Sequence, residues 1–471
     1  MSELWQLSTI ELGRLVQAGT ISPRESIAAA LARIDTVNPA VNAFVHVCAE
    51  RALEEAGKQE KVLSAGEKVG PLAGVPLGVK DLEDVAGLPT SFGSLPFREY
   101  VAQQDSVQVA RLRAAGAIVV GKTNTPEFGY TAFTKNRLFG VSRNPWNLER
   151  TPGGSSGGSA AAIAARIVPL VTASDGGGSV RIPACFVGAF GMKPSFGRIP
   201  LGPEPSHMLR WVDTVHNGPL TRSIREAALF LDVTAGYHPV DPQSLPAPAG
   251  SYLECLQQPL PRRLRIAFSP DLGYARVDSD VRREVAAAVE VFGRLGHDVE
   301  EISAVFPDVG RGWAYASGSE VYAELAKEVA GKEHELGKGF WSGAVAAGNL
   351  TALEMGDIQR ERFALSEVMR RLFERYDLLL TPTLPTQAFA AGGPLPSIIG
   401  GQPVDSPLHA VAFTYPFNFT GHPAATVRAG FGDLGLPVGL QIIAERHRDD
   451  LVLQAAAAYD AERPMETWPE L

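Results

Sequence analysis

Two glycine-rich segments that each hold serines are the part of this chain best suited to nucleophilic chemistry. The first segment spans residues 150–159 and the second spans residues 174–181. Glycine lets successive backbone N–H groups point in one direction, because a positive φ causes it no Cβ clash. Such a row of N–H groups binds an anion, or the oxyanion that forms during acyl transfer. Ser179, at the end of such a row, is therefore predicted to be a nucleophile with its oxyanion hole beside it.

Lys80 is a candidate base. Residues 75–79 are apolar and predict a short buried strand that ends at Lys80. A lysine at a strand end is more often a solvated surface residue, and this interpretation stays open on the residues alone. The apolar residues before it favour burial, and a desolvated lysine loses its proton more easily and can act as a base.

Two other motifs suggest different chemistry. Residues 116–123 match the phosphate-loop pattern G-x-x-x-x-G-K-[ST], but their variable positions form the predicted strand itself, and Pro126 follows where a helix should begin. Residues 153–157 match the nucleophile elbow G-x-S-x-G, which needs a strand immediately before it, whereas residues 142–150 are polar and turn-rich. Neither motif lies in the strand and helix context that it requires. Nucleotide binding and a hydrolase with a nucleophile elbow are therefore both disfavoured.

Histidine and cysteine chemistry is also disfavoured. The nine histidines form neither HxxxH nor HExxH, so a zinc hydrolase is not expected, and no metal or other cofactor is predicted. His422 is the best candidate for a Ser-His-Asp triad, although a turn histidine without a catalytic role is the favoured interpretation. Three scattered cysteines, Cys48, Cys185 and Cys255, predict no disulfide framework and favour a reducing cytoplasm. Cys185, in apolar surroundings, is predicted to be a core thiol.

The composition narrows the classes of partner. The chain of 471 residues carries 43 basic and 52 acidic residues, a net charge of −9, which argues against nucleic acid or an anionic membrane as the main partner. No long uncharged apolar run and no secretory leader are evident, so a soluble cytoplasmic protein is expected. No linker or internal repeat is visible, and one domain over residues 1–471 is the simplest account.

The elements that position these residues follow an α/β pattern. Capping boxes at residues 8–11 and 22–25 predict the first two helices. Residues 264–268, 281–295 and 299–302 predict a strand, a helix and a strand, which favours crossovers onto one sheet.

Residues 305–350 are predicted to be irregular. Their aromatic side chains are more often core residues, but in a loop-rich segment they could line a substrate cleft. These aromatics are Trp313, Tyr315, Tyr322, Phe340 and Trp341.

The motifs taken together resemble the amidase signature family. The resemblance is carried by Val79-Lys80-Asp81, by the Pro-Gly-Gly-Ser-Ser-Gly-Gly-Ser run at 152–159, and by the Ser-Asp-Gly-Gly-Gly-Ser-Val-Arg run at 174–181. Residues 218–222 and 435–441 resemble later landmarks of the family. The similarity covers essentially the whole chain and is densest from about residue 71 to 200.

This resemblance implies a fold and a set of site residues. The fold is an α/β domain with a central mixed, mostly parallel, twisted β-sheet covered by helices on both faces, with a variable cleft region at about 305–410. The triad is Ser-cisSer-Lys, with Ser179 as nucleophile, Ser155 as bridging serine after a cis bond from Gly154, and Lys80 as base. The remaining implied residues are the oxyanion-hole donors Gly176, Gly177, Gly178 and Ser179 and the supporting residues Ser156, Asp175 and Arg181. Gly176 departs from the family, which usually has Thr or Ile there.

The implied activity is hydrolysis of small amides through an acyl-Ser179 intermediate, without cofactor. Hydrophobic or aryl amides are favoured, esters and carbamates (urethanes) are further candidates, and the protein is expected to be a monomer or homodimer. One alternative is the glutaminase subunit of a tRNA-dependent amidotransferase. The acidic charge, the divergent residues 305–350 and the similarity of residues 415–421 to free-standing amidases oppose it. A phosphate-loop nucleotide-binding protein is the remaining, disfavoured alternative.

Overall fold

The computed structural model describes residues 4–202, 213–260 and 263–471. The α-helices are α1 (Thr9–Gln17), α2 (Pro23–Val41), α3 (Ala49–Ser64), α4 (Val107–Ala114), α5 (Gly157–Ala164), α6 (Arg181–Val187), α7 (Ile224–Thr234), α8 (Tyr252–Cys255), α9 (Ser279–Arg294), α10 (Gly310–Glu328), α11 (Lys338–Gly348), α12 (Ala352–Arg375), α13 (Tyr415–Thr420) and α14 (Asp449–Glu462). The strands are β1 (Phe44–Val47), β2 (Pro76–Lys80), β3 (Ile118–Thr123), β4 (Lys135–Asn136), β5 (Gly140–Val141), β6 (Leu170–Val171), β7 (Ser174–Asp175), β8 (Phe190–Lys193), β9 (His216–Asn217), β10 (Leu220–Thr221), β11 (Arg265–Phe268), β12 (Asp298–Glu301), β13 (Leu378–Pro382), β14 (Ile398–Ile399), β15 (Gln402–Pro403), β16 (Ala424–Phe431) and β17 (Pro437–Ala444).

Two larger sheets organise the described residues. The four-stranded sheet has the order β1-β3-β2-β6, in which β2 runs parallel to both of its neighbours. The seven-stranded sheet has the order β10-β8-β16-β17-β13-β11-β12, with parallel pairing at β13-β11-β12 and antiparallel pairing elsewhere. The predicted α/β class with a mixed sheet is confirmed.

The helix signals at the start of the chain are confirmed. Ser8 and Ser22 each accept a hydrogen bond from the backbone N–H three residues later, and a glutamate at that position bonds back to the cap. These reciprocal bonds satisfy backbone donors that the first turn of a helix leaves free. Helix α2 packs beside the four-stranded sheet, whereas α1 packs on α7.

Helix α5 packs unusually close to the four-stranded sheet because its residues are small. All eight of its residues are buried, and the run is Gly-Gly-Ser-Ala-Ala-Ala-Ile-Ala. A Cβ at Gly158 would overlap the backbone N–H of Asn124, so only glycine permits this approach. The close contact holds the segment before α5, which contains Ser155, against the end of β2.

The prediction of an irregular segment at residues 305–350 is wrong. The segment forms α10 and α11, which pack against each other. Glycine has a low helix propensity, and the glycines in both helices obscure their pattern in the sequence. They serve close packing here, since a Cβ at Gly318 would lie 2.9 Å from Ala347 and one at Gly348 would overlap the Tyr322 ring.

The phosphate-loop alternative is also wrong. Residues 118–123 are the buried strand β3, so they cannot wrap a phosphate. The Lys122 ammonium is buried and donates to the Glu83 carbonyl and to Thr90 Oγ1, each at 2.8 Å. As expected, no strand immediately precedes residues 153–157, which excludes the nucleophile elbow.

No helix among the described residues has both the length and the apolar character needed to cross a bilayer.

Candidate active site

Lys80 and Ser155 are brought into direct contact. Lys80 is the last residue of the buried strand β2, and its Nζ lies 2.8 Å from Ser155 Oγ. The same Nζ lies 3.0 Å from Ser174 Oγ and 3.4 Å from the Ser174 carbonyl. Its backbone N–H donates to Thr172 Oγ1 at 2.9 Å, which ties the strand end to the segment that leads to Ser174.

The surroundings of Lys80 favour the uncharged amine. Burial lowers its pKa to about 7, although the carboxyl groups of Glu83 and Asp175 act in the opposite direction. Among the residues that the structure describes, no carboxylate forms an ion pair with the Lys80 ammonium. A neutral amine has a lone pair, so Lys80 can accept the Ser155 hydroxyl proton while its own N–H groups point to Ser174.

Ser155 follows the expected non-proline cis peptide bond, which joins it to Gly154. The side chain is buried, and the backbone around it is packed tightly. A Cβ at Gly154 would lie 2.6 Å from the Thr131 carbonyl, and one at Gly129 would lie 3.1 Å from Ser155 Oγ. These contacts leave Ser155 little room to move away from Lys80.

Ser179 precedes helix α6 and is half-buried, so a reacting group can approach it. Its carbonyl accepts the Ser156 N–H at 3.3 Å, and Ser156 Oγ in turn donates to the Ser174 carbonyl at 3.3 Å. The backbone thus joins the two serine-bearing segments, with Lys80 on one side and Ser179 on the other.

The carbonyl groups beside Ser179 are each held by a donor. The Asp175 carbonyl accepts Asn418 Nδ2 at 2.7 Å, and the Gly176 carbonyl accepts Trp313 Nε1 at 2.8 Å. The Gly177 carbonyl accepts Thr414 Oγ1 at 2.6 Å, and the Gly178 carbonyl accepts the Ile182 N–H at 2.6 Å. In a trans peptide the N–H points opposite to the carbonyl of the preceding residue. These bonds therefore set the direction of each following N–H.

Three N–H groups of this loop remain available. Those of Gly176, Gly177 and Ser179 have no acceptor in the part of the chain that the structure describes. The Gly178 N–H differs, because it donates to Asp175 Oδ1 at 2.7 Å. The expectation that all four residues supply oxyanion donors is thus corrected for Gly178, whose N–H is already engaged.

Asp175 and Arg181 form a buried ion pair beneath the loop. Arg181 Nε lies 2.9 Å from Asp175 Oδ2, and Nη2 lies 2.9 Å from Oδ1. Burial acts to raise the pKa of Asp175, but the Arg181 guanidinium and hydrogen bonds from Arg181 and Asn418 outweigh it and hold the pKa well below its usual range. Gln441 Oε1 accepts a further Arg181 donor at 2.7 Å. The pair therefore acts as a fixed anchor for the loop.

Helices α10 and α11 each contact a segment near one of the two serines. Trp313 of α10 contacts the loop before Ser179, as described above. On the other side, Phe128 stacks on Phe340 of α11 with ring centroids 5.1 Å apart, and Glu127 accepts the Gly337 N–H at 2.7 Å. This second contact ties α11 to the backbone that packs against Ser155.

Several residues of the site escaped the sequence prediction. Ser174, Asn418 and Gln441 lie inside segments that resemble the family, so their positions were visible, but nothing local indicated their contacts. Trp313 was recognised only as one of several aromatics, and Thr414 not at all.

His422 and Cys185 stand apart from this chemistry. His422 Nδ1 bonds Thr420 Oγ1 at 2.8 Å, its ring stacks on Phe373, and burial lowers its pKa to about 3. Burial raises the pKa of Cys185 to about 12, as expected for a core thiol. Within residues 4–202, 213–260 and 263–471, no group of three or more His, Cys, Asp or Glu side chains is arranged to hold a metal ion.

Comparison with known proteins gives similarity over nearly the whole chain. A family model described as Amidase matches residues 25–453. An acylamidase of Rhodococcus erythropolis is 38% identical over 463 residues, which is 97% of this chain and 96% of the relative. A glutamyl-tRNA(Gln) amidotransferase subunit of Acidothermus cellulolyticus is 35% identical, over 98% of this chain and 95% of the relative. The crystal structure of a bacterial aryl acylamidase of the amidase signature family matches with a TM-score of 0.91 and 32% identity, covering 97% of this chain and 96% of that one.

Proposed function

The chain belongs to the amidase signature family and is an amide hydrolase, and on that premise we propose that it acts through a covalent acyl intermediate on Ser179. Ser155 relays protons and Lys80 is the base. The observation that carries the proposal is the 2.8 Å contact between Ser155 Oγ and the buried Lys80 amine, whose pKa is lowered to about 7. A general base works best when its pKa lies near the working pH.

Acylation begins when the amide carbonyl lies beside Ser179. Lys80 takes the proton of Ser155, Ser155 takes the proton of Ser179, and Ser179 Oγ bonds to the carbonyl carbon. The carbonyl π electrons move to oxygen, which becomes the oxyanion. Catalytic hydrogen bonds often tighten only when substrate is bound, so we expect the Ser155–Ser179 hydrogen bond to form at this stage.

The oxyanion is stabilised by the three available N–H groups of Gly176, Gly177 and Ser179. They lie in a loop whose carbonyls are already held, so little reorganisation accompanies the reaction. When the C–N bond breaks, the leaving nitrogen takes a proton from Ser155, which is reprotonated by Lys80. Water then attacks the acyl carbon, its proton follows the same path, and the released Ser179 oxygen is reprotonated as the acid departs.

The substrate class that we propose is small hydrophobic or aryl amides. The similarity to an acylamidase and to an aryl acylamidase supports this class, as do two aromatic contacts near the site, that of Trp313 in α10 with Gly176 and that of Phe340 in α11 with Phe128. Esters and carbamates present the same carbonyl with an oxygen or nitrogen leaving group, so they are further candidates for the same mechanism.

A glutaminase subunit is the second candidate, because the chain is 35% identical to a glutamyl-tRNA(Gln) amidotransferase subunit. Such a protein would hydrolyse L-glutamine and would depend on a partner protein. Turnover of an anilide by the chain alone would favour the first proposal, whereas turnover restricted to glutamine would favour the second.

The experiment is a hydrolysis panel run with the wild-type chain and the Ser179→Ala variant. The panel contains an acyl anilide, a primary amide, an ester, a carbamate and L-glutamine. We expect anilide turnover that falls by roughly 10⁴-fold or more in Ser179→Ala, with unchanged circular dichroism. Full activity of Ser179→Ala on the anilide would refute the mechanism.

A further inference from the structure

We propose that Trp313 is a positioning residue for the oxyanion loop, which it serves by holding the Gly176–Gly177 peptide in one orientation. The inference rests on the proposed function and names a residue that lies outside the triad. Trp313 Nε1 donates to the Gly176 carbonyl at 2.8 Å from helix α10, 137 residues further along the chain.

This hydrogen bond determines where the Gly177 N–H points. The peptide is planar, so fixing the Gly176 carbonyl on one side fixes the Gly177 N–H on the other. That N–H is one of the three without an acceptor among the described residues. If the peptide rotated, its carbonyl would replace a donor in the oxyanion hole with an acceptor. Trp313 opposes this rotation.

The indole is itself held in place. Its ring stacks on Tyr415 with centroids 5.5 Å apart and an interplanar angle of 14°. The Tyr415 hydroxyl donates to Asp308 Oδ1 at 2.8 Å, and the same oxygen accepts the Gly310 N–H at 3.0 Å, in the first turn of α10. Asp308, Tyr415 and Trp313 thus form a connected series that ends at the loop. A donor that is fixed in this way loses little entropy when it holds a peptide.

The loop needs such a restraint because Gly176 adds none of its own. A Cβ there would meet only Val215 Cγ2, at 3.4 Å, so the glycine is not required by lack of space. Glycine has more backbone freedom than any other residue. At Gly177 the situation is reversed, because a Cβ would overlap the Trp313 ring. The indole therefore excludes a side chain at position 177. At position 176, where no side chain restricts the backbone, the indole restrains it through the hydrogen bond to the Gly176 carbonyl.

The test is Trp313→Phe, which keeps a ring that can stack on Tyr415 and removes the N–H donor. We expect kcat for an anilide to fall about 10- to 100-fold, less than for loss of a whole oxyanion donor, with KM changed less than about threefold. The matched control is Trp146→Phe. Trp146 Nε1 also donates to a backbone carbonyl at 2.8 Å, that of Val187, but at the far end of α6. We expect its kcat to stay within about twofold of the wild type.

A second substitution distinguishes positioning from packing. An alanine at position 176 fits the available space and restricts the backbone there. Adding Gly176→Ala to Trp313→Phe should therefore raise kcat several-fold above that of Trp313→Phe alone. A packing defect would not respond to this change. If Trp313→Phe folds poorly, 3-benzothienylalanine at position 313 keeps the ring shape and removes only the N–H.

Each outcome separates the two proposals. Unchanged kcat in Trp313→Phe, an effect confined to KM, an equal loss in Trp146→Phe, or no recovery with Gly176→Ala would overturn the positioning role while leaving Ser179 as nucleophile. Full anilide turnover by Ser179→Ala would instead overturn the proposed function.

Discussion

The Lys80 amine lies 2.8 Å from Ser155 Oγ and also contacts Ser174, whereas no hydrogen bond joins it to Ser179 among the described residues. In the mechanism that we propose, Lys80 therefore reaches Ser179 only through Ser155. A lysine that acts as the base must be uncharged when the reaction begins. The rate should therefore depend on the fraction of Lys80 that is unprotonated.

The pH dependence of the rate should follow Lys80. Because burial lowers its pKa to about 7, kcat/KM for an anilide should rise from about pH 5 and level off above about pH 8. Lys80→Met, which keeps much of the side-chain volume, should lower kcat/KM by about 10³-fold or more and abolish this rise. A pH profile that is the same in wild type and variant would exclude Lys80 as the base.

Glu83 should set the position of that rise. Burial raises the pKa of this carboxyl group, and in its ionised form it acts to raise the pKa of Lys80, because a negative charge favours the ammonium. Glu83→Gln should therefore move the acidic limb of the profile to lower pH, as measured by kcat/KM. Glu226→Gln is the control, since Glu226 is buried but does not act on Lys80. A limb that moves to higher pH in Glu83→Gln would contradict this electrostatic role.

The same pKa shift predicts a cost in stability. The unfolded chain has a Lys80 pKa of about 10.4, whereas the folded value is about 7. Between these values the unfolded state binds more protons, so the contribution of Lys80 to the free energy of unfolding rises with pH. Below about pH 7 both states are protonated and the full cost of burying the ammonium remains.

Lys80→Met should therefore be more stable than the wild type near pH 6, and its advantage should shrink toward about pH 10. Urea denaturation at several pH values measures the difference. An advantage that is constant over this range would show that Lys80 titrates alike in both states.

The contact between Lys80 and Ser155 was expected only from the resemblance to the amidase signature family, because the local motifs indicate a turn and a buried strand end but not that the two residues meet. The glycine-rich segments and the strand end at Lys80 carry their own signals of turn and burial. The donors that hold the loop carbonyls could not be predicted, since Trp313 lies 137 residues from Gly176 and Asn418 lies 243 residues from Asp175. Only the packing of α10 and α13 onto the loop brings them together.

Some predictions from local sequence were wrong because tertiary packing overrides the low helix propensity of glycine. The glycines of α10 and α11 indicated an irregular segment, but they permit the close approach of two helices. The resemblance to the family implied that the Gly178 N–H is an oxyanion donor like those of its neighbours. Of these four N–H groups, the Asp175 carboxylate accepts that of Gly178. The sequence alone does not distinguish Gly178 from the neighbouring glycines.

Breaking the ion pair beneath the loop should be costly. Asp175→Asn leaves the fully buried Arg181 guanidinium without its counter-charge, and we expect a loss of about 3–5 kcal/mol in the free energy of unfolding. Asp298→Asn is the control, because its pair with Arg263 is more than half exposed and should be worth about 0–1 kcal/mol. Equal losses in the two variants, measured by urea denaturation, would mean that Asp175 is not an anchor.

The approach of α5 to the sheet gives a prediction that joins stability to catalysis. Gly158→Ala would drive a Cβ into the Asn124 backbone and should destabilise the fold by about 1–3 kcal/mol, as expected for overpacking. The control is Gly293→Ala in α9, where nothing lies within 4 Å, and where the higher helix propensity of alanine should add about 0.5–1 kcal/mol. Because Ser155 lies directly before α5, the Gly158 variant should also lose kcat at temperatures where it remains folded. Normal kcat in a destabilised Gly158→Ala protein would show that the position of α5 and the contact of Ser155 with Lys80 are independent.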